Sequence, residues 1–369
     1  MKKKVLSLLM AMSLAVGILC GCGQTENAQN AQENNQQTEQ TENEPDVEED
    51  VQTEVVQDES ESGQEDVLEK DDDVVVRVGS LKGPTSIGLV KLWKDAEEGK
   101  TDTEYEFSMS TAADEILPLM IKGDLDIALV PANAAANLYQ KSEGAIAVLD
   151  INTLGVLYMI SGDSSISTME DLKGKTIYLT GKGTTPDLAL QYLLASHDIK
   201  EKDVTIEYKS EAAEVAAALS QNTDLVGLLP MPFVIAACSQ NEKLQIVLDV
   251  NALWEEKNDQ NGLVTGVTIV RKAFLEEHPD CVDAFLEDHK NSASYVNENV
   301  KEAAELVVEN GIVEKTPVAE KAIPKCNITC ITGEEMKEML SAYLEILEGQ
   351  DASFIGGKVP DDDFYVIRP

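Results

Sequence analysis

From residue 74 onward, short runs of β-branched and aliphatic residues alternate with stretches whose apolar positions recur every three or four residues. "VVVRVGS" (74–80) predicts a strand, and "TSIGLVKLWKDA" (85–96) a helix begun by Thr85. "EYEFSM" predicts a strand, "AADEILPLMIKG" an amphipathic helix ended by Gly123, "DIALVP" (126–131) a short apolar strand and "ANAAANLYQK" a helix. "AIAVLDINTLGVLYMIS" (145–161) carries one or two further strands. Strands and helices in this order predict a parallel sheet covered by helices.

After "GDSSIS" the alternation starts again. "DLKGKTIYLT", "VTIEYK", "DLVGLLP" and "LQIVLDV" read as strands, and "TPDLALQYLLASH", "EAAEVAAALSQ" and "MPFVIAACSQ" as helices between them. The polar loop "EEKNDQNG" (255–262) closes this unit, after which a strand and a long helix lead into segments that stay helical to about residue 348. The expected fold class is therefore α/β with two lobes: 74–161 together with 263–369, and 162–262. A ligand cleft is expected between the lobes, at the carboxyl ends of strands.

The residues before 74 change the setting, not the fold. Lys2, Lys3 and Lys4 precede a weakly polar or apolar run from Val5 to Leu19, shorter than the roughly 20 residues a bilayer span needs. This pattern predicts a secretory signal over 1–22. It ends in "LCGC", where Gly21 supplies the small residue that a lipoprotein peptidase requires before Cys22. Cys22 is the expected lipidated residue; Cys20, preceded by Leu19, is the weaker one. Residues 23–73 hold 19 acidic residues against one lysine and no aromatic residue. Such a segment buries too little apolar surface to order itself, so a disordered acidic linker is expected between membrane and domain. It carries −18 of the total charge of −39. The folded remainder is also acidic, which argues against nucleic-acid binding.

Several loops join strands to helices in a way that suits a ligand. "LTGKGTTPDLAL" has a Gly-Lys-Gly turn, but Gly183 stands where a Walker loop needs Ser or Thr after the lysine, and Pro186 ends the dinucleotide pattern begun by Gly181 and Gly183. What remains is a glycine-permitted approach to a helix N-terminus, with Thr184 or Thr185 as cap and free N–H groups. "SLKGPTSIG" places Lys82, Gly83, Pro84, Thr85 and Ser86 at a second such junction. "LVPANAA" offers Pro131 and Asn133, "LLPMPFV" offers Met231 and Phe233, and the strand turn Asn152 to Leu154, with Thr153, is a further candidate. Phe233 reads either as core or as a stacking platform.

Catalytic and cofactor motifs do not emerge. His197, His278 and His289 sit in or beside predicted helices and read as surface residues, with no H-E-x-x-H and no G-x-S-x-G. Trp93 reads as core, whereas Trp254, near the polar loop, is placed to close over a ligand. Cys238, Cys281, Cys326 and Cys330 match no metal framework. Cys326 and Cys330, in "KCNITCI", would lie about 13 Å apart in an extended strand, so they pair only if the segment bends.

The segments "STMEDLKGKTIYLTGKGTTPDLAL", "LLPMPFVIAA", "VTIVRKAFLEEHPDCVDAFLEDHKNSASYVNEN" and "ASFIGGKVPDDDFY" resemble extracytoplasmic substrate-binding lipoproteins of ABC importers. The branch they resemble contains sulfonate, nitrate, taurine and thiamine-pyrimidine-precursor binders, and the similarity runs over nearly all of 74–369. The resemblance implies a two-lobed type II periplasmic-binding-protein fold that closes on a small anionic or heterocyclic solute. It further implies a monomer that hands the solute to an ABC permease with its ATPase, without cofactor, metal or catalysis, anchored to the outer face of a bacterial membrane through Cys22. The binding loops it implies are Lys82 to Ser86, Pro131 to Asn133, Gly181 to Thr185 and Met231 to Phe233. Pyrimidine-binding relatives resemble one another through clustered cysteines and cleft aromatics; this chain lacks that cluster and is poor in aromatics. A fold-related enzyme acting on a small aromatic or vitamin precursor and a stand-alone lipoprotein sensor are the alternative readings.

Overall fold

A computed structural model describes residues 74–258 and 261–368. The signal over 1–22, Cys22 and the 23–73 linker lie outside the described residues. The first part of the chain forms β1 (Val75–Leu81), α1 (Pro84–Ile87), α2 (Val90–Glu97), β2 (Glu104–Ser110), α3 (Ala113–Lys122), β3 (Ile127–Pro131), α4 (Ala132–Lys141) and β4 (Ile146–Thr153). It continues into β5 (Leu157–Ser161), β6 (Thr176–Thr180), α5 (Thr185–Ser196), β7 (Thr205–Lys209), α6 (Ala212–Gln221), β8 (Val226–Pro230), α7 (Phe233–Gln240), β9 (Gln245–Asp249) and α8 (Val250–Lys257). The last part is β10 (Gly266–Arg271), α9 (Lys272–Glu277), α10 (Pro279–Glu298), α11 (Val300–Glu309), α12 (Thr316–Ala322), β11 (Ile328–Ile331) and α13 (Gly333–Asp351). No helix among the described residues is long and apolar enough to cross a membrane.

Two mixed sheets result, ordered β11-β4-β10-β3-β1-β2 and β7-β6-β8-β5-β9. In the first, β1 runs parallel to β2 and β3, and β10 is inserted antiparallel between β3 and β4. The second repeats the scheme, with β6 parallel to β7 and β8, and β5 inserted antiparallel between β8 and β9. Each sheet thus receives one strand directly after a crossing of the chain. β3, β4 and β5 are buried almost throughout, as strands with neighbours on both sides and layers on both faces must be. Both sheets belong to one compact unit. A single apolar cluster joins Ala128 and Val130 of the first sheet to Leu157, Ile177 and Leu188 around the second.

The crossings are tied together. Gly155 lies so close to α8 that a Cβ there would stand 2.5 Å from the Cβ of Asn251. The same Asn251 accepts a hydrogen bond from the Leu263 N–H at 3.3 Å on the return crossing. Thr265 donates its N–H to the Thr153 carbonyl at 3.0 Å and accepts from the Ala132 N–H at 3.2 Å.

Four elements differ from the expectation. β5 joins the second sheet, so the first crossing falls at 154–156 and not after residue 161; its five residues are all buried and need strands on both sides. The helix expected over 85–96 is broken into α1 and α2, because Ser292 of α10 donates to the Gly88 carbonyl at 2.6 Å and accepts from the Leu92 N–H at 3.1 Å. Residues 250–257, partly read as loop, form α8, begun by the Asp249 carboxylate accepting from the Asn251 and Ala252 N–H groups at 3.0 and 3.2 Å. β11 interrupts the expected helical tail as the edge of the first sheet.

Candidate functional site

The carboxyl ends of β1, β3 and β4 meet the start of β10. After β1 the chain turns at Gly83, whose φ of 145° favours glycine, into the single turn α1. The Leu81 carbonyl accepts from the Thr85 hydroxyl at 3.0 Å and the Ser86 hydroxyl at 2.5 Å, and Ser80 and Ser86 share a hydrogen bond of 2.7 Å. Thr85 and Ser86 are therefore buried and engaged within the loop. Pro84 is half-buried beside them, and Lys82 is exposed, its N–H held by the Ser110 carbonyl at 2.9 Å.

Pro131 pairs with Gly266 on one side, and Thr153 pairs with Gly266 on the other. A Cβ at Gly266 would stand 2.5 Å from Asn152 Oδ1, 2.8 Å from Thr85 Cγ2 and 3.3 Å from Thr153 Cβ. Three of the predicted loops thus converge on this one glycine. Thr153 donates its hydroxyl to Asn152 Oδ1 at 2.8 Å, Asn152 donates to the Thr268 hydroxyl at 3.2 Å, and Thr268 donates to Asp150 Oδ1 at 3.0 Å. Asn133, in the first turn of α4, is half-buried, and no side-chain hydrogen bond holds it among the described residues. Beside these groups the Thr265 hydroxyl is buried without a hydrogen-bond partner among the described residues. A buried orphan hydroxyl is costly unless something else satisfies it.

Thr265 and Gly266 are functional candidates that sequence reasoning missed. The signal available was the polar pair Thr-Gly directly after the apolar "LV" where the chain returns to the first sheet.

In the second sheet the Gly181–Thr185 loop closes on itself. Gly181 and Gly183 have φ of 67° and 76°, and Thr184 donates both its N–H and its hydroxyl to the Gly181 carbonyl, at 3.0 and 2.6 Å. The Gly183 N–H is not free: it donates to Asp187 Oδ2 at 2.7 Å. Asp187 is buried and also accepts from Tyr208 at 2.7 Å and Gln191 at 2.8 Å. Burial first, then the hydrogen bond to Asp187, pushes the Tyr208 phenol up. The N-terminus of α5 thus carries its own carboxylate, which already meets the partial positive charge there. Thr185 is buried. A Cβ on Gly183 would stand 3.9 Å from the Phe354 ring, in the turn Ala352–Ile355 that also holds Asn137 of α4 through the Ser353 carbonyl at 3.4 Å.

Other candidates lie elsewhere. Met231 is fully buried in the core with Ile87 and Val234, its N–H on the Val156 carbonyl at 2.9 Å, followed by a cis peptide to Pro232. Phe233 is the accessible member of that pair, 36% exposed at the start of α7. Trp254, expected near a ligand, is 1% exposed and packed on Tyr192 at 4.6 Å and Tyr343 at 5.6 Å between ring centroids, away from the residues around Gly266. Trp93 stacks on Phe107 at 5.1 Å. His289, expected on the surface, is fully buried because α10 packs that face against the first sheet. Cys326 and Cys330 are separate thiols. Burial pushes the Cys326 thiol up to about 12, which keeps it protonated.

A cavity of about 360 Å³ lies between α8 and α13, lined by Trp254, Asn258, Gly262, Met339 and Tyr343. A larger one of about 930 Å³ flanks α5 and β7, with Lys182, Gln191, Lys200 and Tyr208. Neither contains the residues gathered around Gly266.

Two sheets, each completed by a strand from across a double crossing, define the periplasmic-binding-protein fold. The chain belongs to the NMT1/THI5-like family, whose model matches residues 113–303. A search among curated proteins found no match. Among solved structures, it is similar to an ABC transporter from Parabacteroides distasonis, at 24% identity and a TM-score of 0.69 over 80% of this chain and 100% of that one. It is also similar to the periplasmic aliphatic sulphonate binding protein SsuA from Escherichia coli, at 16% identity and a TM-score of 0.65 over 80% of this chain and 92% of that one. A third is the alkanesulfonate-binding protein SsuA from Xanthomonas axonopodis pv. citri bound to MOPS, at 16% and 0.58 over 78% of this chain and 94% of that one.

Proposed function

We propose that this protein is the extracytoplasmic solute-binding component of an ABC importer, which grips a small solute between two lobes without transforming it and delivers it to a permease. The observation that carries this reading is the convergence of Thr85, Asn152, Thr153 and the unpaired Thr265 hydroxyl around Gly266, beside both chain crossings. A pocket at the crossings is where a change in lobe angle closes most directly on a ligand. The lobes divide at 154–156 and 261–265, and the wall proposed for the pocket is completed by Asn133, Gly183 and the backbone of the Lys82–Ser86 loop. Delivery in a tethered form follows from Cys22 as lipid anchor and 23–73 as linker, with a monomer as the docking unit.

The groups offered are hydroxyls, an amide and backbone, and the N-terminus of α5 is occupied by Asp187. This favours a neutral polar or heterocyclic solute over a strongly anionic one.

Thr265→Val tests the assignment by sign. Removing an unsatisfied buried hydroxyl is expected to raise the unfolding free energy of the ligand-free protein by about 1 kcal/mol. The same change is expected to weaken solute binding by about tenfold, since the solute loses a hydrogen bond. Chemical denaturation and calorimetric titration read the two effects separately. A variant that is destabilised, or that binds unchanged, removes Thr265 from the site.

A further inference from the structure

The buried chain of hydrogen bonds from Thr153 ends at Asp150, and beyond it the polar groups run out of partners. Asp150 Oδ2 and both ring nitrogens of His289 are buried with no hydrogen bond among the described residues. Both residues are fully buried. Asp150 comes from β4, His289 from the middle of α10, and Cys330 from β11, and one donor atom of each lies within 4.8 Å of the others.

His289 Nδ1 stands 3.4 Å from Asp150 Oδ2. That is long for a donor and acceptor, which prefer 2.7–3.2 Å in general. It is instead the separation of two ligands on one ion, since donors about 2.0–2.1 Å from a tetrahedral zinc stand about 3.3 Å apart. We propose that Asp150, His289 and Cys330 form a three-ligand zinc site on the helix-covered face of the first sheet, separate from the solute pocket.

The supporting parts are in place around it. Thr268 donates to Asp150 Oδ1 at 3.0 Å and leaves Oδ2 for the metal, the kind of outer bond that orients a ligating carboxylate. Phe285 stacks on the His289 ring at 5.6 Å between centroids, 26° from parallel, fixing its plane. The pairing of β11 with β4 shifts register between Ile328 and Ile331, the stretch that carries Cys330, and the Cys330 sulfur lies within 4.8 Å of the Asp150 and His289 donors. β11 is the edge of its sheet and Cys330 is half-buried, so an ion has a path in from that edge.

The donor set selects the metal. A thiolate and an imidazole beside one carboxylate suit zinc, whereas magnesium and calcium take oxygen ligands. Zn²⁺ with one thiolate, one carboxylate and a neutral imidazole is a neutral cluster, which an apolar interior tolerates. Three protein ligands leave the fourth position to water. The most distant donors, within the 4.8 Å limit, close by about 1 Å through side-chain rotation to reach zinc geometry.

The test is metal titration of the full chain, stripped with chelator and kept reduced by a non-coordinating phosphine. Elemental analysis after zinc loading and desalting is expected to give one zinc per chain. Cobalt(II) is expected to give visible tetrahedral bands together with a thiolate-to-cobalt charge-transfer band. Cys330→Ser, on an edge strand and checked for folding by circular dichroism, is expected to remove the charge-transfer band and weaken zinc binding at least tenfold. Cys238→Ser, outside the cluster, is expected to leave both unchanged. Absence of stoichiometric metal, a cobalt spectrum without charge transfer, or identical binding by folded Cys330→Ser overturns the proposal. Each readout is independent of any solute, so it stands or falls apart from the importer reading.

Discussion

Asp126→Ala is expected to lower the unfolding free energy by about 3–5 kcal/mol, the range for removing one partner of a buried ion pair. Asp126 is 1% exposed at the base of the first sheet, just before β3. Its Oδ2 accepts from the Arg77 N–H at 3.0 Å and Arg77 Nε at 2.8 Å, and its Oδ1 from Arg77 Nη2 at 2.7 Å and Arg271 Nη2 at 2.6 Å. One carboxylate therefore ties β1 and β10 to the entry of β3. Alanine leaves two guanidinium groups facing each other and a backbone N–H unpaired. The Arg77 and Arg271 side chains are 37% and 21% exposed, so water reaches them and the lower end of the range is expected.

The same carboxylate makes a pH prediction. Burial pushes its proton affinity up, but the hydrogen bonds from Arg77 and Arg271 outweigh burial and hold its pKa below the ordinary carboxylate value. A depressed folded-state pKa means that the unfolded chain takes up the proton first as pH falls. The contribution of Asp126 is then complete above the ordinary carboxylate value of about 3.9 and is lost as pH falls below it, through the folded pKa. Urea unfolding of wild type and Asp126→Asn across pH 7 to 3 measures this: the difference between the two is expected to shrink towards the acid end. A difference independent of pH contradicts it.

Trp254→Ala is expected to cost about 3–5 kcal/mol through cavity formation. The indole fills the contact between α8, α5 and α13, tilted at 44° to Tyr192 and 55° to Tyr343, and such aromatic pairs add about 0.5–1.5 kcal/mol beyond burial. The frame beside it does not depend on the indole: Asn258 donates to the main-chain carbonyl of Trp254 at 2.8 Å, which alanine keeps, and accepts from the Tyr192 hydroxyl at 2.8 Å, so the cost is that of lost packing. Thermal unfolding with near-ultraviolet circular dichroism reads this cost. A loss below about 1.5 kcal/mol would show that the cluster refills the space, contrary to close packing.

Much of this architecture was legible because it rests on local periodicity. The runs that became β1, β3, β6 and β8 are apolar enough to be interior strands, and the glycine and proline positions after them mark where the chain must turn. Three predicted loops, at Thr85, Pro131 and Thr153, meet at Gly266. The rest was set by tertiary contact. Nothing local says that Ser292 will break the helix at Gly88, that Asp187 will fill the Gly183 turn, or that Met231 will face inwards while Phe233 faces solvent. His289 is the instructive miss. It falls on the same helical stripe as Val282, Phe285 and Val296, so its spacing, read as a pattern with its neighbours, marks it as interior.

The central claim, that the site around Gly266 binds a small solute, is tested most directly by thermal unfolding of the full chain against a solute panel. The panel spans neutral heterocycles, hydroxylated solutes, amino acids, sulfonates and oxyanions, with chelator present throughout so that metal effects are excluded. At 100 times its dissociation constant a true solute stabilises the fold by about 2.7 kcal/mol. The expected result is such a shift from a neutral polar or heterocyclic member, reduced in Thr265→Val. No shift from any class, or a shift that Thr265→Val leaves untouched, would contradict it.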